Sequence, residues 1–313
     1  MNNTSDTVPL AGYSGREPME FNEILDSVYL RALVLDNGLR KVAIVSAELL
    51  ILHPEITDAF MERAEHEGGW DANDIYLSAT HTHSSIGGWS PGYVGELVTG
   101  EFDPQRQEQI VEAMTLALEK ANQNTRNGAY TYANSELGKH VKNRLIKEGE
   151  EDAWVRNLFF QRDSTLVALT SYSAHATCFN AHSNFLTGDY PSYFNRRLEE
   201  AKNEIFSMYL AGAVGSMGPE GKEAQGAARA KEIGDELAAQ VLDLSIFGLP
   251  FDSLVSLDAF RVRVPLRSPQ LKISRNLKLR PWVFRSLVGE YNTYFSVLKI
   301  NTTLLIGMPC DFS

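Results

Sequence analysis

The stretch 74-DIYLSATHTHSSIGGW-89 joins a strand pattern to a group of polar and imidazole side chains. Apolar and polar residues alternate from Ile75 to Ala79, and this period of two predicts a β-strand. The glycine pair that follows predicts that the strand has given way to a loop. His81 and His83 therefore lie where a strand ends, which is where open α/β sheets usually bind their ligands.

Strand and helix patterns alternate along most of the chain. Apolar runs predict strands at 42–50, 74–80, 129–134, 156–161, 165–177, 206–215, 255–266 and 295–309. Helical periodicity predicts helices at 55–67, 104–123, 191–203 and 222–244, with Pro191 in the first turn of the third. This order predicts an α/β fold with a large mixed, partly parallel sheet, flanked by helices and carrying a metal site at the carboxyl ends of its strands.

The domain organisation predicted from the sequence is simple. We expect residues 1–313 to form a single domain, because no repeat or clean linker divides the chain. The basic segment 267–293 is interpreted as an insertion, a lid or a solvated surface helix. The start lacks the pattern of a signal peptide. The chain stops just after the apolar run 303-TLLI-306, so we expect it to be part of a longer protein, trimmed at both ends.

Composition excludes several classes of function. The 313 residues carry a net charge of -11, which argues against nucleic acid as a partner and gives no overall attraction to anionic membranes. Two cysteines cannot form a disulfide framework that defines the fold. No segment approaches the roughly 20 apolar residues that a membrane span needs.

The two histidines of the opening stretch admit two interpretations, a metal or catalytic site and a hydrogen-bonded structural pair. Side chains two residues apart on an extended strand stand roughly 6.5–7 Å apart, too far to share one tetrahedral metal. We therefore expect one of His81 and His83 to bind zinc, and the other to act nearby as a proton donor or oxyanion partner.

Two further strands end in residues of the same chemistry. His175 follows the apolar run 165-TLVALTSYSA-174, and Asp311 follows the last apolar strand. Parallel strands would bring these residues to one sheet edge beside His81. Histidine, histidine and carboxylate form a usual ligand set for catalytic zinc with an open position.

The loop 212-GAVGSMGPEG-221 lies between a predicted strand and a predicted helix. Such a loop forms either an anion cradle at the helix N-terminus or a plain tight turn. It lacks the lysine and the spacing of a P-loop, so we do not expect nucleotide binding.

The order of these motifs resembles the catalytic domain of the neutral/alkaline non-lysosomal ceramidases, zinc amidases that split N-acyl sphingoid bases. The family's THTHSGPGG is similar to 80-THTHSSIGG-88. Its PMAGY, VVSADL, NRSP, HPTSM, SGDxxG and PGEFT motifs are similar to 9-PLAGY-13, 42-VAIVSAEL-49, 143-NRLI-146, 175-HATCF-179, 187-TGDYPSY-193 and 309-PCDFS-313. Each match is weak alone, but the ordered set spans nearly the whole chain.

The resemblance implies roles for particular residues. His81, His175 and Asp311 would hold one zinc ion per chain, with Asp311 in place of the family's glutamate. The family's fourth ligand, a tyrosine, would lie beyond the end of this chain. His83 would stand beside the metal and aid the transition state, and Arg144 would lie in the active-site cleft. The resemblance also implies a periplasmic or secreted location and peripheral contact with a membrane, whereas it leaves the oligomeric state open.

This chain departs from the family pattern in two loops. The family's GDVSPN loop carries a serine proposed as the nucleophile in some members, and 215-GSMGPE-220 replaces it here. Gly218 stands at the serine position and Ser216 at the aspartate position, so we expect attack by zinc-activated water. The change from GPG to 85-SIG-87 predicts a different lining near the scissile bond.

We therefore expect a zinc-dependent amidohydrolase that cleaves an N-acyl lipid such as ceramide to a fatty acid and a sphingoid base. Three alternatives stay open. The first is a zinc amidase of the same fold with a different N-acyl substrate, and the second is a non-catalytic descendant that binds lipid or carbohydrate. The third, a phosphoesterase with two metals, should show more Asp and Asn at the strand ends.

Overall fold

Strands and helices alternate along the chain in a computed structural model that describes residues 8–17, 19–202, 204–244, 246–265, 274, 277–278, 280–289 and 291–310. The α-helices are α1 (Pro54–Gly68), α2 (Tyr93–Thr99), α3 (Pro104–Gln123), α4 (Asp189–Ala201), α5 (Ala227–Leu242) and α6 (Pro281–Val288). Short 3-10 helices lie at Ala72–Asp74, Gly138–His140 and Ile246–Gly248. The strands are β1 (Glu23–Ile24), β2 (Leu30–Asp36), β3 (Lys41–Ala47), β4 (Ile75–Ala79), β5 (Ala129–Glu136), β6 (Val141–Asn143), β7 (Trp154–Arg162), β8 (Thr165–Tyr172), β9 (Phe185–Leu186), β10 (Ile205–Ala211), β11 (Met217–Pro219), β12 (Leu257–Arg263), β13 (Tyr294–Ile300) and β14 (Thr303–Gly307).

Local capping explains where the helices begin and end. The side chains of His53 and Asp103 accept hydrogen bonds from amides in the first turns of α1 and α3, respectively. Gly69 ends α1 at φ 66°, a left-handed conformation that glycine adopts without strain. The predicted limits of α3 are confirmed. By contrast, α5 begins five residues later than predicted, because Gly226, at φ 79°, lies outside the helical region.

The first principal sheet has the order β2-β3-β4, with β2 antiparallel and β4 parallel to β3. Alternate residues of β3 face opposite sides of this sheet. Ala43, Val45 and Ala47 pack with α1 and α3, whereas Val42 and Ile44 face a second sheet.

The second principal sheet has the order β10-β8-β7-β5, in which β10 and β8 are parallel and the other pairs antiparallel. Phe159 and Tyr209 pack on one side with α4 and α5. Leu158, Leu169 and Met208 pack on the other side, against the first sheet. The two sheets therefore lie face to face between two layers of helices.

The smaller strand pairs complete the structure. The antiparallel sheet β12-β13-β14 adds Ala259, Leu298 and Ile300 to the cluster between the principal sheets. Strand β11 pairs with β6, and β1 with β9. The β-like tail predicted at 295–309 is a hairpin that turns at Asn301, where φ is 52°. Part of the segment 267–293 lies outside the described residues, and its described part includes α6.

The predicted α/β fold with mixed, partly parallel sheets and flanking helices is confirmed. The strands divide among several sheets, where the sequence predicted one, because pairing between distant strands leaves no local signal. No helix in the described part of the chain combines the length and apolar character that crossing a membrane requires.

Candidate functional site

The loop after β4 folds back at His81. The amides of Thr80 and His81 donate to the carbonyls of Ala47 and Leu49 at 2.9 and 3.0 Å, which extends the pairing of β4 with β3. His81 then adopts φ 65°, a left-handed conformation that residues other than glycine seldom occupy. The ring centroids of His81 and His83 consequently lie 5.1 Å apart. The separation predicted for an extended strand is not observed, because the backbone is not extended here.

His175 reaches the same place from the second sheet. It lies three residues beyond the end of β8, and its amide donates to the carbonyl of Met217 at 3.0 Å. Its ring centroid is 4.5 Å from that of His81 and 5.0 Å from that of His83. The sequence correctly predicts that the ends of β4 and β8 converge. The expected reason was wrong, because these strands belong to two sheets packed face to face and not to one sheet edge.

Backbone carbonyls orient two of the three rings. Leu50 O lies 2.8 Å from His81 Nδ1, and Val214 O lies 3.0 Å from His175 Nδ1. Because a carbonyl oxygen can only accept, Nδ1 carries the proton in both rings, and Nε2 is the nitrogen that would bind a metal ion. Metal-binding histidines in proteins are held in this way.

The nitrogen atoms of the cluster are spaced for a shared metal ion. One ligand atom from each of His81, His83 and His175 lies within 4.8 Å of the other two. The Nε2 atoms of His83 and His175 are 3.0 Å apart. Two nitrogen ligands of a tetrahedral zinc ion would be separated by about 3.3 Å. The donor set therefore fits zinc or another first-row metal that binds imidazole.

A buried arginine and a tyrosine brace His83 from behind. Arg16 is 1% exposed, and its Nη2 donates to the carbonyl of His83 at 2.9 Å. Its guanidinium also stacks 5.1 Å from the ring centre of Tyr13, whose ring lies 4.8 Å from that of His83. Burial lowers the pKa of Arg16 and raises that of Tyr13. Gly12 completes the brace, because a Cβ atom there would meet the backbone of His83 at 2.6 Å.

Asp189 organises the loop that follows His175. Its Oδ2 accepts from the amides of Cys178 and Phe179 at 2.9 and 3.5 Å, and its Oδ1 accepts from the amide of Tyr190 at 2.6 Å. Burial raises the pKa of this carboxyl to about 6. Asp189 itself has φ 59°, so the surrounding structure holds it in a left-handed conformation.

Sequence reasoning assigned no role to these supporting residues. Tyr13 is the last residue of the motif 9-PLAGY-13, and Asp189 lies within the motif 187-TGDYPSY-193. Their places in these motifs are a sequence signal that could have identified them as part of the site. Arg16 gives no signal, because only the fold reveals that its charge is buried.

Arg144 is connected to His175 through the short strand β11. Met217, whose carbonyl binds the His175 amide, pairs with Asn143 at the end of β6. The next residue, Arg144, is exposed, and its Nε and Nη2 donate to the carbonyl of Gly215 at 3.1 and 2.8 Å.

The Gly-rich loop has the bonding of a tight turn. The amides of Gly212, Ala213 and Val214 donate to Tyr172 O, Ser173 Oγ and Gly212 O, respectively. The strand β11 follows, so the loop does not run directly into a helix as predicted. Gly218 pairs with Lys142 in β11, and Ser216 is buried at 9% exposure. An anion cradle is therefore not the interpretation that this loop supports.

The remaining predicted ligand, Asp311, lies outside the described residues. The chain leading to it approaches the histidines, because Met308–Cys310 line the same cavity as His81 and Val214. This cavity, with a volume of about 860 Å³, opens between the two principal sheets and the β13–β14 hairpin.

A second group of metal-ligating side chains lies apart from these histidines. His140 directs Nδ1 to the carbonyl of Glu220 at 2.9 Å and Nε2 to the carboxylate of Glu236 at 2.8 Å. One ligand atom from each of His140, Glu232 and Glu236 lies within 4.8 Å of the other two. Lys139 forms an ion pair with Glu236. Sequence reasoning found no partner for His140, because these residues meet only through the packing of α5.

The fold and the site define a class: a mixed α/β protein with a histidine-rich candidate metal centre at the ends of strands from two packed sheets. The chain belongs to the neutral/alkaline non-lysosomal ceramidase family, because the model of that family's N-terminal region matches residues 5–219.

Individual relatives agree with this assignment. The neutral ceramidase of Pseudomonas aeruginosa is 28% identical over 143 residues, which are 44% of this chain and 21% of that protein. The neutral ceramidase of Drosophila melanogaster is 25% identical over 194 residues, 56% of this chain and 28% of that protein. The chain thus matches well under half of the length of these relatives.

Solved structures share the fold. The crystal structure of neutral ceramidase from Pseudomonas aeruginosa superimposes with a TM-score of 0.80 at 18% identity, over 97% of this chain and 60% of that one. A structure described as ceramidase complexed with C2 superimposes with a TM-score of 0.75 at 21% identity, over 85% of this chain and 45% of that one.

Proposed function

We propose that this chain is the single catalytic domain of a zinc-dependent amidohydrolase that cleaves an N-acyl lipid such as ceramide. The observation that carries the proposal is the meeting of His81, His83 and His175, two of them oriented by backbone carbonyls. Membership of the ceramidase family supports the substrate class, because the matched relatives carry the name neutral ceramidase.

His81, His175 and Asp311 would hold one zinc ion per chain. A divalent cation in this position would polarise the amide carbonyl and lower the pKa of water. The Nε2 lone pairs of His81 and His175 support the first two assignments, since their Nδ1 protons are already committed to carbonyls. Asp311 is proposed from its place in 309-PCDFS-313.

His83 and Arg144 would act on the substrate. In the reaction the amide C–N bond breaks, water supplies hydroxyl to the acyl carbon, and a proton passes to the leaving amine. His83 would donate a hydrogen bond to the developing oxyanion or transfer that proton, and its contacts with His175 and Tyr13, which fix the position of its ring, support this role. Arg144 would anchor the polar part of the lipid, with its guanidinium already oriented by Gly215.

The test combines metal content and hydrolysis. Wild type should contain one zinc per chain and hydrolyse an N-acyl sphingosine, and His81→Ala should lose both. His66→Ala is the matched control, because His66 is exposed on α1 and should leave both unchanged.

Other results would change the assignment in defined ways. If the protein binds zinc but hydrolyses a different N-acyl compound, it is a zinc amidase whose substrate is not ceramide. The altered 84-SSIGG-88 loop favours this second candidate. A protein that binds no metal and hydrolyses nothing would be a non-catalytic binding protein. Peripheral contact with a membrane is also part of the proposal, because the substrate resides in lipid.

A further inference from the structure

A buried pair of tyrosines reaches the end of β8, just before His175. Tyr190 lies in the first turn of α4 and Tyr209 lies on β10, and both side chains are buried in the same core cluster. Their hydroxyl oxygens are 2.5 Å apart, and their rings meet edge to face with centroids 5.6 Å apart. Because a buried phenol hydroxyl needs a hydrogen-bond partner, the acceptors of this pair show what it holds in place.

The hydroxyl of Tyr190 donates to the carbonyl of Ala174. Ala174 is 1% exposed, and in the described part of the chain no other donor reaches this carbonyl. The carbonyl belongs to the peptide group that joins Ala174 to His175, and the amide of that group donates to the carbonyl of Met217 at 3.0 Å. Both polar atoms of this peptide group are therefore held, the oxygen by Tyr190 and the nitrogen by Met217.

Two phenol protons serve three oxygen contacts in this pair. The hydroxyl oxygen of Tyr209 lies 2.7 Å from the carbonyl oxygen of Tyr172 and 2.5 Å from the hydroxyl oxygen of Tyr190. The Tyr172 carbonyl already accepts from the amide of Gly212 at 3.0 Å, so it does not depend on a phenol. The Ala174 carbonyl does depend on one, because a buried acceptor without a donor is destabilising. Tyr190 therefore donates to Ala174, and a proton from Tyr209 to the Tyr190 oxygen strengthens that bond.

The backbone of Tyr190 is fixed from two sides. The carboxylate of Asp189 accepts from the amides of Tyr190 and Cys178 at 2.6 and 2.9 Å, which connects the start of α4 to the loop after His175. Helix α5 packs closely against this turn, because a Cβ atom on Gly234 would meet the carbonyl oxygen of Tyr190 at 3.0 Å. Since the ring is also fully buried, its hydroxyl is a preorganised donor.

The peptide group that Tyr190 holds controls the place of an imidazole. The ring of His175 donates from Nδ1 to the carbonyl of Val214 at 3.0 Å, and its Nε2 lies 3.0 Å from Nε2 of His83. A shift of the preceding peptide group would move this ring relative to His81 and His83. Ligand groups must be held to within about 0.5 Å for a site to work, so such a shift has consequences for the whole cluster.

We propose that Tyr190, assisted by Tyr209, is a positioning residue for the candidate centre, and that its hydroxyl fixes the peptide group from which His175 reaches the other two histidines. Tyr190 acts through the backbone of His175 and not through contact with a reacting group. Its effect on hydrolysis rests on the proposed function, whereas its effect on the backbone of His175 does not.

The first measurement is titration of the metal-free 313-residue chain with Co²⁺, whose visible spectrum reports the ligand geometry of a zinc site. Tyr190→Phe should raise the Kd for Co²⁺ about tenfold and change the spectrum, because the supporting hydrogen bonds of a metal site contribute to its affinity. Tyr209→Phe should raise the Kd less than Tyr190→Phe, since Tyr190 keeps its own bond to Ala174. A Co²⁺ affinity in Tyr190→Phe equal to that of wild type would contradict the proposal.

Tyr172→Phe is the matched control. Its hydroxyl donates to the carbonyl of Leu137 at 2.5 Å, so this variant also removes one buried phenol donor from one backbone carbonyl. Urea denaturation should show a similar loss of stability for Tyr172→Phe and Tyr190→Phe, whereas only Tyr190→Phe should weaken Co²⁺ binding. Equal weakening in both variants would leave Tyr190 with a packing role alone and overturn the proposal.

Kinetics provide a second readout. In the zinc-loaded protein, Tyr190→Phe should lower kcat for an N-acyl sphingosine several-fold and leave KM unchanged, because Tyr190 acts through His175 and not on substrate binding. Tyr172→Phe should keep both constants. A change confined to KM would assign Tyr190 to substrate binding and contradict the positioning role.

Amide hydrogen exchange separates this inference from the proposed function. The amide of His175 should exchange about tenfold faster in Tyr190→Phe than in wild type, and Tyr172→Phe should not accelerate it. If wild type binds no Co²⁺ and hydrolyses no N-acyl sphingosine while this acceleration persists, the proposed function fails and the positioning role stands. An unchanged exchange rate of the His175 amide in Tyr190→Phe would overturn the positioning role whatever the metal content.

Discussion

Two clusters in the described part of this molecule bring three metal-ligating side chains within 4.8 Å, and they are built in opposite ways. The first contains only imidazoles, those of His81, His83 and His175. In two of these rings, a backbone carbonyl accepts a hydrogen bond from Nδ1, so that Nε2 is the nitrogen that would bind a metal ion. The described members of the first cluster are therefore all nitrogen ligands, and none of them is a carboxylate.

The second cluster has its charges already matched. Both ring nitrogens of His140 already have hydrogen-bond partners, the carbonyl of Glu220 and the carboxylate of Glu236. Lys139 and His140 both approach the carboxylate of Glu236, and the amides of Lys222 and Glu223 donate to Glu232. A metal ion would have to displace these partners.

The pKa values of the carboxyl groups next to the two clusters are shifted in opposite directions. Glu48, directly after β3 and one residue before the carbonyl that binds the His81 amide, has its pKa raised to about 7 by burial. At Glu236 burial also acts to raise the pKa, but hydrogen bonds from Lys139 and His140 outweigh it and lower the pKa. The comparison teaches that distance alone does not make a metal site, because the charges and hydrogen bonds around the ligand atoms differ between the two clusters.

The largest expected difference concerns metal and activity. His175→Ala should lose zinc and reduce hydrolysis by about 10³-fold, since a metal contributes several kcal/mol to the transition state. His140→Ala should keep zinc and most of the activity. The measurement is metal analysis of both variants together with kcat/KM. Zinc that stays with His175→Ala and leaves with His140→Ala would reverse the assignment of the two clusters.

The next effect is a pH dependence next to the first cluster. Folding raises the pKa of Glu48 from 4.5 to about 7. The folded state therefore binds this proton more tightly, so the contribution is fully present below pH 4.5 and is lost as the pH rises towards 7. Over that range it amounts to about 3 kcal/mol of unfolding free energy.

Glu48→Gln should remove this loss, because an amide cannot ionise. Urea unfolding at pH 4.5 and 7.5 measures the difference. Between these pH values, the unfolding free energy of the variant should fall less than that of wild type. Glu62→Gln, on the exposed side of α1, provides the control. A slope that is the same for wild type and Glu48→Gln would show that folding does not shift the pKa of this carboxyl.

A smaller effect is expected on the stability of the second cluster. His140 is 1% exposed, and His140→Ala leaves the carbonyl of Glu220 and the carboxylate of Glu236 without their imidazole donor. The free energy of unfolding should fall by about 2 kcal/mol, the cost of unsatisfied polar groups. Urea denaturation measures this change. A loss of zinc without a loss of stability would contradict the structural role of this cluster.

The smallest effect concerns the brace behind His83. Arg16→Met removes the hydrogen bond to the His83 carbonyl and the cation over Tyr13. We expect kcat to fall by about tenfold, with KM and zinc content unchanged, because positioning residues act on the reaction step. Arg16→Lys should recover part of kcat, since it keeps the charge but not the planar fork.

The exposed Arg126 gives the matched control for this prediction, and Arg126→Met should leave kcat unchanged. Equal losses of kcat and zinc in Arg16→Met would indicate a general structural defect and not a positioning role.

Much of the fold follows from patterns that are local in the chain. The predicted limits of α3 hold because Asp103, Pro104 and the apolar periodicity all lie within the segment itself. The strand ends that carry His81 and His175 follow equally from local periodicity. By contrast, the division of the strands into two principal sheets depends on contacts between distant segments, which no local pattern encodes.

The sequence by itself determined which residues have the chemistry of the candidate centre, because side-chain type and position at strand ends are local properties. It also determined the family, through the order of short motifs. Only the tertiary structure decided that His81 turns left-handed towards His83, that the two sheets bring His175 to them, and that Arg16 is buried behind the site. The physical reason is that backbone conformation in loops, packing between sheets and desolvation of charge are set by neighbours that are distant in sequence and close in space.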